Sequence, residues 1–327
     1  MRRTLDLSAV VFLTAMVMLG IAAAVVMLRR PASSAPAGRR AHYLESPYQA
    51  QLFHRGQLHV QSNHGIGHEI PRDLSRAYER KGYEWVSITD QNTLTITSQF
   101  DTPNILAVPG AEAVFPFGRL LEYGVDNIPA PTTLQGAIDA VHRQAGGVVL
   151  ARPKEPPAVG IDQVLTLKGL DAIEVYDARL HHDNPLVADA TDIWDQVLSR
   201  GRRVWGVVGD DTLDIGGPNS TLGLTSVDVQ SSEVSPPLIY DAIRRGAFVD
   251  STGVRILGVD TTAGDSVRVI TTDASSIRWF GRGGTPLATT NGPDGTYKVR
   301  WNEQYVRAVA RRADGAEAWT QPVFVIP

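Results

Sequence analysis

Residues 57–91 read QLHVQSNHGIGHEIPRDLSRAYERKGYEWVSITDQ, and this stretch decides the fold class of the chain. Short apolar runs at 57–61 and 85–89 have strand composition and flank an amphipathic stretch at 71–81. Pro71 suits a first helical position, where a missing N–H costs nothing, and Gly82 suits a helix stop. Both apolar runs end in polar groups, His59-Val60-Gln61 and Thr89-Asp90-Gln91. Strand, helix, strand is the unit of a parallel sheet covered by helices.

The unit recurs downstream. Further strands are predicted at 105–108, 147–151, 171–176 and 203–208, helices at 132–144 and 185–200, and a closing helix–strand pair at 235–245 and 247–250. About seven such units predict a closed α/β barrel, in which function sits at the C-terminal strand ends. Those ends carry Gly110-Ala111-Glu112, Ala151-Arg152-Pro153, residues 174–177 and Gly209-Asp210-Asp211-Thr212. In a barrel all of these converge on one mouth. Adjacent side chains on a strand face opposite ways, so only one of Asp210 and Asp211 can face it.

After Gly253 the period changes to alternating apolar and polar residues at 254–259, 266–271, 276–280, 296–301, 305–311 and 322–326. Asn291-Gly292 and Asp314-Gly315 supply turns, and residues 254–327 read as a small antiparallel β-domain. Gly281-Arg282-Gly283-Gly284 is followed by no helix, so it reads as a turn and not a phosphate loop.

Upstream, residues 8–28 are uncharged and mostly apolar, long enough at 1.5 Å per residue to cross roughly 30 Å of hydrocarbon. The run exceeds the roughly 7–15 residues of a cleaved signal peptide, and Arg29 and Arg30 separate it from Ala35-Pro36-Ala37. Residues 1–30 therefore read as a single-pass membrane anchor, 31–42 as a linker, and 43–253 as the barrel. Arg29, Arg30, Arg39 and Arg40 outnumber Arg2 and Arg3, which favours a cytoplasmic body by charge. The short N-terminal tail opposes this, and the expectation taken is an exported body.

Composition excludes several classes. The 327 residues are 43% hydrophobic and 20% charged, with a net charge of −4 and no cysteine. A core is assured, while disulfides, thiolate catalysis and cysteine zinc sites are not available. Without a basic stripe interleaved with aromatics, no nucleic-acid partner is expected. No Gly-x-Ser-x-Gly elbow is present.

The ordered motifs resemble those of the PHP (polymerase and histidinol phosphatase) metallohydrolases. Residues 58–67 resemble the opening Leu-His-x-His-Ser/Thr motif, and 88–94 resemble Thr-Asp-His-Asp-Thr-Leu. Pro109-Gly110-Ala111-Glu112 resembles Gly-x-Glu, and Ala151-Arg152-Pro153 stands where the family has Ala-His-Pro. Residues 171–176, 194–198, 201–212 and 240–246 resemble later family segments, so the likeness runs from about 56 to 253. Residues 305–307 and 318–322 are similar to the closing β-domain of the secreted, carbamate-hydrolase-like branch. The resemblance implies a distorted (β/α)7 barrel that holds two or three divalent metals for phosphoester or related hydrolysis.

Carried over by position, His59, Glu112 and Asp211 remain as ligand candidates. Gln61, Gln91, Arg152 and Leu213 stand where the family has histidine, and Ile66 where it has a charged or imidazole ligand. Glutamine is a poor zinc ligand, and leucine and isoleucine offer no donor. An arginine stays protonated and cannot ligate a cation. Near Glu112 and Asp211 it would repel a divalent ion by several kcal/mol at an effective dielectric of about 20.

Arg152 is therefore expected to replace the lost metal charge. The leading reading is an inactive or impaired homologue with no resident metal. Its pocket, His59, Gln61, Asp90, Gln91, Glu112, Arg152 and Asp211, would bind an anionic small molecule. Two readings stand beside it. One is a hydrolase of phosphate esters with a single zinc or manganese on His59, Glu112 and Asp211, helped by His64, His68, His181 or His182. The other is a scaffold whose β-domain binds a protein or glycan. His54 and His142 read as structural or exposed, and Trp194, Trp205 and Trp319 as packing residues.

Overall fold

The computed structural model describes residues 42–49, 52–97, 100, 102, 104–216, 224–228 (main chain) and 231–326. The expected span at 8–28 lies outside them. Among the described residues no helix is long and apolar enough to cross a membrane.

β1 (Tyr43–Glu45) pairs with the last strand of the chain. β2 (Phe53–Gln57) leads through α1 (Pro71–Arg80) to β3 (Trp85–Gln91), which lies parallel to β2 and to β4 (Leu106–Phe115). β5 (Gly118–Tyr123) turns back antiparallel to β4. α2 (Leu134–Arg143) and β6 (Gly147–Ala151) follow, β6 pairing antiparallel with β5. After α3 (Ile161–Thr166) comes β7 (Ala172–Asp177), then α4 (Ala178–Asp183), α5 (Pro185–Ala188) and α6 (Thr191–Ser199), and finally β8 (Trp205–Gly209). β6, β7 and β8 are parallel. β2 to β8 thus make a nearly closed seven-strand barrel, with helices packed on its outside.

Three local expectations are corrected. The strand predicted at 105–108 runs on to Phe115, because β3 and β5 pair with it on both sides. β5 escapes sequence reading because Leu120, Leu121, Glu122 and Tyr123 are all buried, so no alternation survives. The predicted helix over 185–200 is two helices. Asp189 forms a bridge with Tyr176, and its carboxylate accepts the Thr191 N–H at 2.8 Å, which starts α6 afresh.

Beyond the barrel, β9 (Leu224–Asp228) lies antiparallel between β2 and, after α7 (Pro236–Arg245), β10 (Phe248–Ser251). The remaining strands are β11 (Ile256–Asp260), β12 (Ser266–Thr271), β13 (Ser276–Gly281), β14 (Thr285–Asn291), β15 (Asp294–Lys298), β16 (Tyr305–Arg311), β17 (Glu317–Thr320) and β18 (Val323–Ile326). All their pairings are antiparallel. β11, β12 and β15 form a separate sheet, while β17 pairs with β10 and so extends the barrel sheet. β14 and β17 were not anticipated, and β15 lies earlier than the predicted 296–301. β14 is mostly exposed, which removes the apolar alternation that marks a half-buried strand.

The barrel closes along β8 by two devices. Near the mouth, Asp211 donates its N–H to the His59 carbonyl at 3.0 Å, and Gln61 donates to Thr212 at 3.1 Å. Deeper down, side chains replace a strand. Gln321 accepts the Gly206 N–H at 2.9 Å and donates to the Gly206 carbonyl at 2.7 Å, while Asp250 accepts the Val208 N–H at 3.1 Å. Buried main-chain groups must be paired, and here the C-terminal segment pairs them.

That segment also grips α6. Arg307 donates to Asp195 at 2.8 and 2.5 Å, and Tyr305 donates to the same carboxylate at 2.8 Å. All three are buried, with the guanidinium over Trp194 and Phe280. From His42 to Pro327 the chain is one compact unit.

Candidate functional site

Main-chain geometry brings the strand ends together. His59 follows β2, Glu112 lies within β4, Arg152 follows β6, Glu174 lies within β7 and Asp211 follows β8. All five are buried, Arg152 at 4% exposure being the most accessible. Arg152 and Asp211 both have positive φ, 43° and 46°. Such a backbone costs a non-glycine residue about 1–3 kcal/mol and persists only where neighbours enforce it. The neighbours are visible: the Arg152 N–H donates to Glu174 at 3.1 Å, and the Asp211 N–H to His59.

The Arg152 side chain joins two acids. Nη1 donates to Asp211 Oδ2 at 2.9 Å, and Nη2 donates to Glu112 Oε1. Its Nε lies 3.3 Å from Glu155 Oε2 and 3.9 Å from Asp177 Oδ2. Burial opposes its charge, but Asp211 and Glu112 overrule that and raise its pKa further. Arg179, which sequence reasoning missed, donates from Nε and Nη2 to the same Asp211 oxygen at 2.9 and 2.5 Å. Arg119, also missed, lies 3.7 Å from Glu112.

His59 sits between carboxylates. Nδ1 contacts Glu174 Oε1 at 2.7 Å, while Nε2 lies 3.3 Å from Asp211 Oδ1 and 3.9 Å from Glu112 Oε2. Burial disfavours the imidazolium, but Glu174 and Asp211 outweigh it and push the pKa well above the usual value. Burial likewise favours neutral Glu112, but His59 and Arg152 hold its pKa below the ordinary range. Asp177 goes the other way. Burial and the charges of Asp211 and Glu174 raise it, and one of its oxygens caps α4 at Leu180 N.

The other expected pocket residues have different duties. Gln61 donates to Glu112 at 2.9 Å and accepts the Gln91 N–H at 2.9 Å, so Gln91 enters through its main chain. Asp90 is occupied by the Ser62 N–H at 2.5 Å, the Ser62 hydroxyl at 2.6 Å and the Thr95 hydroxyl, which fixes the loop after β2. Asp210 turns away from Asp211 and accepts from Tyr78 at 2.6 Å.

His64 and His68 are exposed on the loop after β2, His181 and His182 are exposed on α4, and none of the four belongs to either buried donor group. His54 is held by Glu84 and the Ser231 carbonyl, and His142 by Gly169. Trp205 is half-buried and packs against two apolar clusters, its indole N–H donating to the Arg244 carbonyl. Glu174 was placed at a strand end by the sequence but not among the pocket residues, whereas Arg179 and Arg119 carried no signal.

Donors for a divalent ion lie close together. His59, Glu112 and Asp211 bring ligand atoms within 4.8 Å of one another, as do His59, Glu174 and Asp177. The charge does not fit. Glu112 and Asp211 are already compensated by Arg152 and Arg179, and an added dication would sit against both guanidinium groups. Leu213 and Ile66 carry no donor atom, and Arg152 cannot ligate a cation.

No protein-family model matches the chain, and no curated protein matches it. Among solved structures it is similar to a two-domain protein containing a predicted PHP-like metal-dependent phosphoesterase from Bacteroides vulgatus. The identity is 12% and the TM-score 0.49, over 88% of this chain and 91% of that one. It is also similar to PsfC from Pseudomonas syringae, at 10% identity and TM-score 0.44, over 60% and 88%. The lesion-specific endonuclease EndoQ from Pyrococcus furiosus gives 11% identity and TM-score 0.42, over 60% and 56%.

Proposed function

We propose that this chain is a membrane-anchored relative of the PHP metallohydrolases in which Arg152 takes over the charge of the metals, leaving a catalytically impaired or inactive barrel. The observation that carries the reading is the buried Arg152 bridging Glu112 and Asp211. The family reading draws support from His59, Glu112 and Asp211 meeting at one barrel end in the motif order of the sequence. Arg152 Nη1 and Nη2 donate to Asp211 and Glu112, while Nε lies 3.3 Å from Glu155 without a hydrogen bond. Residues 8–28 supply the anchor in this reading, and the body is exported.

One observation favours a second reading. His59 Nε2 and Asp211 Oδ1 are buried without a hydrogen-bond partner and lie 3.3 Å apart. A single zinc or manganese between them, with Glu112, would satisfy both, and Glu174 would orient the imidazole. Elemental analysis decides. Full-length protein exposed to zinc and manganese and then desalted is expected to hold well under one metal per chain. One metal per chain, with phosphate-ester hydrolysis lost in His59→Ala, would establish the second reading instead.

A further inference from the structure

We infer that the surface around Trp301 is a lipid-contact patch that seats the folded body against the bilayer carrying its own N-terminal run. The inference rests on the anchor reading above.

Of the six tryptophans, Trp85, Trp194 and Trp279 are fully buried and Trp319 nearly so, whereas Trp301 is 38% exposed in the turn before β16. His42 stacks on it, with ring centroids 5.2 Å apart. Tyr43, 52% exposed, stands opposite Ile326 in the β1–β18 pair. The Val325 N–H donates to the Gln304 carbonyl at 3.0 Å, which brings the Trp301 turn to the edge where β1 begins. The His42 and Trp301 rings are thus stacked at the point where the upstream chain enters the body, with exposed Tyr43 next in the chain.

Rings with an apolar face and a polar tip favour the headgroup layer of a bilayer. Arg300, exposed beside Trp301, would meet anionic headgroups there. Residues 29–41 join the apolar run to His42 and span at most roughly 45 Å when fully extended. A tether this short gives a weak patch a high effective concentration of lipid surface.

The test uses full-length protein in phosphatidylcholine–phosphatidylglycerol vesicles with brominated acyl chains. Part of the tryptophan emission should be quenched by the bromolipid, and Trp301→Ser should abolish that part. Vesicles should also shield Trp301 from aqueous iodide. Equal iodide quenching with and without vesicles overturns the patch while leaving the anchor intact. Shielding from iodide without bromolipid quenching means that a second copy or another segment covers Trp301, which also overturns it. Release of the chain by alkaline carbonate overturns the anchor reading and the patch together.

Discussion

Arg152 Nη1 lies 2.9 Å from Asp211 Oδ2, and both residues sit at positive φ, one past the end of β6 and the other past β8. The strained backbone at each end of this pair is matched by a carboxylate or carbonyl that receives its N–H. The ion pair and the two main-chain contacts therefore support each other. A barrel mouth built this way is closed by charge.

Arg152→Ala leaves Glu112 and Asp211 facing each other with less compensation. Breaking a buried pair from one side costs about 3–5 kcal/mol, and urea denaturation is expected to show a loss of that order. Zinc should then raise the melting temperature of the variant while leaving the wild type unmoved. Equal zinc responses in the two proteins would contradict the charge-replacement reading.

Glu122 gives a pH dependence. Both of its carboxylate oxygens are buried without a hydrogen-bond partner, and burial pushes its pKa from 4.5 up to about 8. The folded state keeps the proton to higher pH than the unfolded chain does. Stability from this group is therefore complete below pH 4.5 and is lost as pH rises toward 8, by an amount on the order of a few kcal/mol. Glu122→Gln should flatten that decline when denaturant midpoints are followed between these pH values.

Gln321→Leu removes the side chain that pairs with both main-chain groups of Gly206. Leaving a buried donor and acceptor unpaired costs about 1–3 kcal/mol each. Chemical denaturation should show a loss of about 2–6 kcal/mol, and hydrogen exchange at Gly206 should accelerate. Truncation after residue 253 should be worse, because it strips both this pairing and the strand beside β10.

Arg307→Met should cost about 3–5 kcal/mol by stranding Asp195. Adding Asp195→Leu should recover much of that loss, since a packed apolar pair can replace a buried ion pair at little cost. A double-mutant cycle measures the coupling. Additive losses would show that the contact between α6 and β16 is not an interdependent pair.

The alternation of apolar runs and amphipathic stretches between residues 57 and 251 determined the α/β barrel, because β-strands and helices bury their apolar faces with different periods. Pro71, Gly82 and the turn at Gly292 were readable for the same local reason, a backbone preference that needs no partner. Chemistry at His59, Glu112, Arg152 and Asp211 was also legible as residue types at strand ends. What they bond to was not. Arg179, Arg119 and Glu174 enter the site through contacts 32, 7 and 115 residues apart in the chain. No period or local propensity encodes such distances. Barrel closure by Gln321 and Asp250 is likewise a tertiary decision, since a side chain that substitutes for a strand looks in sequence like any other polar residue.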